Sequence, residues 1–209
     1  MDAARQRATM VEQQLRRRGI ADSRVLAAMA EVPRDAFVPE AHRHLAYADR
    51  ALPLEQGQTI SQPLMVAMSV EALQLGGDET ILEIGAGSGY QAAVLGRLAG
   101  RVHAIEIVPA LAQKAAKTLA GLGVTNVEIH LGDGRQGWPG AAPYDGIVVA
   151  AAAADVPEAL QPQLKEGGVL VIPVGEHSGQ TLTAMTRRGD RFEVDDLCRC
   201  VFVPLVHGS

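Results

Sequence analysis

Residues 81–90, Ile-Leu-Glu-Ile-Gly-Ala-Gly-Ser-Gly-Tyr, constrain this chain more than any other stretch. A short apolar strand signal runs into glycines at 85, 87 and 89, and a helix-period run, Gln91 to Leu98, follows at once. Glycines at such a strand-to-helix turn let the backbone take φ > 0 and approach a ligand closely. The helix start behind them offers N–H groups that lack intrahelical partners. A nucleotide-type cofactor pocket is the first implication, and the identity of that cofactor decides the function.

The rest of the chain supplies a frame for that turn. From residue 80 onward, strand and helix signals alternate. Ile81 to Ile84, Val102 to Ile107, Val127 to Leu131, Ile147 to Val149 and Val169 to Val174 read as strands. Between them, Pro109 opens a helix with Leu111, Ala115, Leu119 and Leu122 on one face, and a shorter helix is expected near Pro157 to Leu164. Thr181 to Thr186 and Phe192 to Val203 read as a closing hairpin around Arg188-Gly189-Asp190. Alternating βα units ending in a hairpin imply a Rossmann-like, doubly wound α/β fold, mainly parallel, with an antiparallel edge.

Residues 1–60 differ in character and read as an N-terminal helical and loop extension covering the site, ahead of one compact unit over 61–209. Two helices are expected there, broken at Gly19, with Asp22 placed to cap the second. Tyr47 to Gln58 shows no period and reads as an ordered loop; Pro63 then starts a helix reaching about Leu75, stopped by Gly76-Gly77. The arginine run at 16–18 reads as a solvated helix face.

Composition narrows the function classes. With 209 residues, 47% of them hydrophobic and 21% charged, the chain can fill one ordinary globular core. A formal charge of −5 gives no electrostatic footprint for nucleic acid. No run reaches membrane-spanning length, and the opening Met-Asp-Ala-Ala-Arg lacks the apolar segment of a signal peptide, so a cytoplasmic, monomeric protein is the expectation. Cys198 and Cys200 would share one face of a strand; they read as reduced, buried thiols rather than metal ligands. No metal centre is expected.

Three acids discriminate between cofactors. A nicotinamide or flavin fingerprint wants Gly-x-Gly-x-x-Gly, whereas here the third glycine comes one residue early. Glu83 precedes the first glycine by two residues, where a carboxylate can face the cationic amino or sulfonium end of S-adenosylmethionine but would repel a pyrophosphate. Glu106 ends the second strand, placed for ribose hydroxyls, which suits either cofactor, and Asp133 follows the third, placed for an adenine amino group. Open α/β sheets bind ligands at this carboxyl edge. Each acid also has a bland reading, as a capped strand residue or a turn residue between glycines.

These residues and several other blocks together resemble the protein-L-isoaspartate O-methyltransferases. Glu83-Ile-Gly-Ala-Gly-Ser-Gly-Tyr-Gln-Ala-Ala-Val-Leu95 is similar to their first methyltransferase motif, and Asp49-Arg-Ala-Leu-Pro53 with Gln58-Thr-Ile-Ser-Gln-Pro63 resembles a block characteristic of that family. Gln14 to Ile20, Val32-Pro-Arg34, Phe37-Val-Pro39, Gly132-Asp-Gly134, Ala142-Pro-Tyr-Asp145, Pro173-Val-Gly175 and Phe202-Val-Pro-Leu205 extend the likeness over nearly the whole chain. Two departures stand out: Glu55-Gln56 puts negative charge beside a site expected to receive a carboxylate, and Ala150 stands where many members have Thr.

The resemblance implies methyl transfer from S-adenosylmethionine to the free α-carboxylate of an isoaspartyl residue in a damaged protein or peptide. It implies Ser61 as the active-site serine, and Thr59, Glu83, Gly85, Gly87, Ser88, Gly89, Glu106, Asp133 and Gly134 around the cofactor. Gln58, Thr59, Ser61 and Gly175 would face the substrate, and Gln180 resembles a position near the cofactor. Ser61 has a competing reading as an N-cap of the helix at Pro63, worth about 1 kcal/mol. Competing functions are a methyltransferase acting on a small molecule or RNA, a cofactor-binding module without catalysis, and a nicotinamide oxidoreductase.

Overall fold

The chain begins with helix α1 (Ala3–Met10), capped by the Asp2 carboxylate, which accepts from the Ala4 N–H. The structure, a computed structural model, describes residues 2–176 and 179–206; His177, which the sequence suggests is a solvated loop residue, lies outside them. Helix α1 continues through one π turn and one 3-10 turn before Gly19 stops it at φ 101°. Helix α2 (Ser23–Glu31) is capped by Asp22, whose carboxylate accepts from the Arg24 and Val25 amides, as the sequence suggests. Arg16 and Arg17 are solvated beside Glu12, but Arg18 reaches Asp49 at 2.8 Å and is more than surface decoration.

The stretch read as a plain loop holds a two-stranded pairing. β1 (Leu52–Pro53) runs antiparallel to β2 (Thr59–Ile60), joined by a 3-10 turn over Glu55–Gly57. Helix α3 (Pro63–Ala72) ends earlier than expected: Leu73 closes it and Gln74 takes the left-handed conformation at φ 51°. Gly76 and Gly77 serve differently, donating both amides to the Glu79 carboxylate at 2.6 and 2.7 Å.

Beyond this point come β3 (Thr80–Ile84), α4 (Tyr90–Leu95), β4 (Arg101–Glu106), α5 (Pro109–Gly121), β5 (Val127–Leu131) and β6 (Tyr144–Val149). The chain closes with β7 (Leu164–Val174), β8 (Gln180–Arg188) and β9 (Arg191–Cys200). The helix expected near 157–164 is a 3-10 segment, Glu158–Gln163, because Pro162 inside it has no amide hydrogen to donate. β7 starts well before Val169, with its register to β6 shifting between Tyr144 and Gly146; Gly167-Gly168 is absorbed inside the strand instead of breaking it.

One seven-stranded sheet results, in the order β5-β4-β3-β6-β7-β8-β9. β5 through β7 are parallel and the last two strands return antiparallel. Side chains alternate between two core layers. Ile81, Val148, Val169 and Val171 join one, while Leu82, Ile84, Ile147, Val149, Leu170 and Ile172 join the other. The first layer also contains Met10, Leu15, Leu26 and Met29, so the N-terminal helices share their core with the sheet. Cys200 is buried in that layer with Cys198 packed against it; burial raises both thiols, Cys200 to about 11. Among the described residues, no helix is long and apolar enough to cross a membrane.

Candidate active site

Chain order reverses direction on either side of β3, since β4 follows on one flank and β6 on the other. A parallel sheet opens a crevice at such a point. Here it is lined by Glu83 to Ser88 at and beyond the end of β3, Ile105 to Ile107 at the end of β4, Gly134 after β5, and Ala150 and Ala151 after β6. The facing wall comes from Gln58 to Ser61, Val66 and Val203 to Val206.

The glycine turn is built as its spacing suggests, with φ of 86°, 54° and 85° at Gly85, Gly87 and Gly89. The amides of Gly85 and Ala86 both donate to the Ile105 carbonyl at 2.9 Å, lashing the turn to the next strand. Glu106, 4% exposed, accepts from the Gly87 amide at 2.7 Å and the Val108 amide at 2.9 Å. Two backbone donors therefore fix this carboxylate, which keeps further lone pairs for a diol at the cleft.

Glu83 is fully buried, and neither carboxylate oxygen has a hydrogen-bond partner. Its neighbours in register are Ala104 and Val148, which offer no donor beyond the strand ladder. Burial pushes its pKa well above the ordinary carboxylate range; the Gln91 side chain opposes the rise and the Glu106 charge adds to it. A buried acid left this way is costly unless a cation pairs with it. The ammonium of an amino-acid-bearing donor is such a cation, and Glu106 suits its ribose. The residues present therefore fit S-adenosylmethionine.

Of the residues singled out from sequence, the cleft gathers Gln58, Thr59, Ser61, Glu83, Gly85, Gly87, Ser88, Glu106 and Gly134. Gly134 has to be small: a Cβ there would sit 2.3 Å from the Ile84 side chain. Four others, Gly89, Asp133, Gly175 and Gln180, are not among the lining residues. Gly89 turns toward α5, where an added Cβ would stand 3.1 Å from that of Ala115, so it is a packing glycine. Asp133 caps the short turn at Gly134, its carboxylate accepting from the Arg135 amide at 2.9 Å. Gly175 lines a neighbouring cavity that shares Pro204 and Leu205 with the cleft.

Ser61 is half-buried at the cleft wall. The N-cap position of α3 belongs to Gln62, and no side chain makes a capping hydrogen bond there. The cap reading of Ser61 therefore falls away. Gln62 instead donates to Asp49 at 2.7 Å, and Asp49 also receives Arg18, so a chain of polar contacts joins three of the sequence blocks that resemble the family. The Glu55 departure is also resolved: its carboxylate pairs with Lys114 of α5 at 2.7 Å, and neither Glu55 nor Gln56 lines the cleft.

Sequence reasoning quoted Gln91 and Phe202 to Leu205 within family-like blocks but did not place Gln91 or the segment from Val203 to Val206 at the site. Gln91 lies in the first turn of α4 and was legible only once the turn before it was known to fold back on Glu83. The C-terminal segment is brought in by long-range pairing that leaves no periodic trace. Ala152 bridges Pro204, and its amide donates to the Val203 carbonyl at 2.8 Å. Gln180 clamps Phe202 from both sides, donating to its carbonyl at 3.1 Å and accepting from its amide at 2.6 Å. The position expected near the cofactor thus anchors a wall of the site.

Comparison with known proteins agrees with this geometry. The family model for protein-L-isoaspartate(D-aspartate) O-methyltransferase matches residues 5–209. A protein-L-isoaspartate O-methyltransferase of Roseiflexus sp. (strain RS-1) is 52% identical over 208 residues, covering 100% of this chain and 95% of the relative. Among solved structures, a protein-L-isoaspartate O-methyltransferase aligns with TM-score 0.84 and 28% identity over 97% of this chain and 66% of its own. A Plasmodium falciparum protein described as a beta-aspartate methyltransferase, in complex with S-adenosyl-L-homocysteine, aligns with TM-score 0.81 and 27% identity over 96% of this chain and 98% of its own. Motif blocks, cleft and whole-chain similarity coincide: the chain belongs to the protein-L-isoaspartate(D-aspartate) O-methyltransferase family.

Proposed function

We infer that this chain is a carboxyl methyltransferase that transfers a methyl group from S-adenosylmethionine to the free α-carboxylate of L-isoaspartyl residues in damaged proteins and peptides. The methyl ester formed collapses to a succinimide, whose hydrolysis returns part of the residue to normal aspartate. One observation carries the reading: a buried, unpartnered Glu83 beside a backbone-fixed Glu106, facing a wall that presents Ser61.

When bound, S-adenosylmethionine supplies an electrophilic methyl on a positively charged sulfur. Glu83 would hold the ammonium end and Glu106 the ribose hydroxyls, with the turn from Gly85 to Ser88 lining the donor's place. The acceptor carboxyl titrates near 4 and is already ionised at neutral pH, so the chain needs no strong base. Its contribution is placement. The Ser61 hydroxyl would donate to one acceptor oxygen and so orient the carboxylate, with its other oxygen turned toward the methyl that the donor would supply. Ile60, Val66 and Val203 to Leu205 keep water from the reacting atoms.

The test uses methyl-labelled S-adenosylmethionine with an isoaspartyl peptide and the same peptide bearing normal aspartate. Base-labile label on the isoaspartyl peptide alone is the expected result. Label on neither peptide, or on both equally, overturns the assignment.

A further inference from the structure

On the face of the sheet opposite Glu83, three potential metal ligands converge. Ala104 is the register partner of Glu83, so its neighbour His103 projects from the other side of β4. On edge strand β5, Glu128 pairs with His103 and His130 with Ile105, which places all three side chains on one face. His103 Nδ1 lies 3.0 Å from His130 Nε2, and Glu128 Oε2 lies 3.7 and 3.9 Å from those two nitrogens. A tetrahedral ion with bonds of about 2.0–2.1 Å holds its ligand atoms about 3.3 Å apart, within the span of this triangle.

The rings are held rather than loose. The Trp138 indole stacks on His130 with centroids 4.0 Å apart and planes 18° apart, and Tyr144 meets His103 edge-on. Glu128 is divided between tasks: Oε1 is taken by Arg101, while Oε2 faces the imidazoles. His103 is buried, yet the Glu128 side chain is 45% exposed, which leaves an open approach and a fourth position for water. Two imidazoles and one carboxylate suit zinc-class ions, whereas magnesium and calcium prefer oxygen alone. None of these side chains takes part in the cofactor cleft.

We propose that His103, Glu128 and His130 form a binding site for one divalent transition-metal ion of the zinc class, clasping edge strand β5 to β4. The ion acts as a structural clip on the free edge of the sheet. It has no part in methyl transfer.

Trp138 is the only tryptophan in the chain and reports on the site directly. The full chain, stripped with a chelator, is titrated with Co²⁺ while tryptophan emission and visible absorption are followed. Saturable quenching at one cobalt per chain, with visible bands reversed by Zn²⁺ and a rise in melting temperature with Zn²⁺, is expected. Equilibrium dialysis with Glu128→Gln and His130→Asn should show affinity falling by at least the roughly ten- to hundredfold that loss of an outer-shell partner costs. Absence of saturable binding to the folded wild type overturns the proposal and leaves an imidazole pair joined by a hydrogen bond. So does unchanged stoichiometric binding in the variants, which would move the ion to other donors such as Cys198 and Cys200. If His130→Asn fails to fold, Glu128→Gln decides alone, because its half-exposed side chain tolerates substitution.

Discussion

At the scale of single residues, the tasks proposed for Ser61 and Glu83 are separable. Ser61 is at the cleft wall without a capping role, so Ser61→Ala should leave cofactor affinity and melting temperature nearly unchanged while the transfer rate falls by about tenfold or more, the scale of a charge-assisted hydrogen bond. Single-turnover kinetics beside cofactor titration checks this. Glu83 makes a pH-dependent prediction. Its folded pKa lies above the unfolded value, so the native state keeps a proton that the unfolded chain releases. Stability without cofactor is then fullest below the ordinary carboxylate range and declines as pH rises toward the elevated value. Glu83→Gln should flatten that decline in melting curves across pH and abolish tight cofactor binding. A second check is calorimetry in buffers of different ionisation heat: binding the cationic donor should expel a proton from wild type but not from the variant.

At the scale of elements, the turn from β3 into α4 is where sequence and structure agree best and also where they part. The glycine spacing forecast a backbone with positive φ, but not that Gly89 packs closely against α5. That assignment depends on which helix returns over the turn, a tertiary fact that a local pattern does not contain. Gly89→Ala should therefore cost about 1–3 kcal/mol of stability from its left-handed backbone, with crowding against Ala115 added. Gly121→Ala is the matched control, since its added methyl meets open space, and it should leave thermal unfolding almost unmoved. Helix ends were the least legible features. Gln74 in place of a glycine as the left-handed stop, and Pro162 inside a 3-10 segment, reflect burial and pairing around them. The strands of the parallel sheet were legible because their alternation between two core layers is written residue by residue.

For the molecule as a whole, the family-like blocks at 14–20, 49–53 and 58–63 are distant in sequence but meet through Arg18, Asp49 and Gln62. Asp49 and Arg18 are 40% and 45% exposed, and such a pair contributes under about 1 kcal/mol to stability. Asp49→Ala should accordingly change melting little, yet raise the KM for an isoaspartyl peptide by loosening the segment that presents Ser61. Steady-state kinetics alongside thermal unfolding separates the two effects. Phe202 to Leu205 was legible as a family-like block, but not as a wall of the cleft, because it is drawn in by Gln180 and Ala152 from remote positions.

The lone acid beneath the cleft has a consequence for traffic through it. Methyl donation erases the charge on sulfur but leaves the amino group as it was, so in the role proposed for it Glu83 would grip the spent carrier as firmly as the fresh one. Turnover would then be tied to how quickly the cell destroys that by-product. A repair enzyme built this way slows whenever by-product disposal stalls, however much damage awaits it.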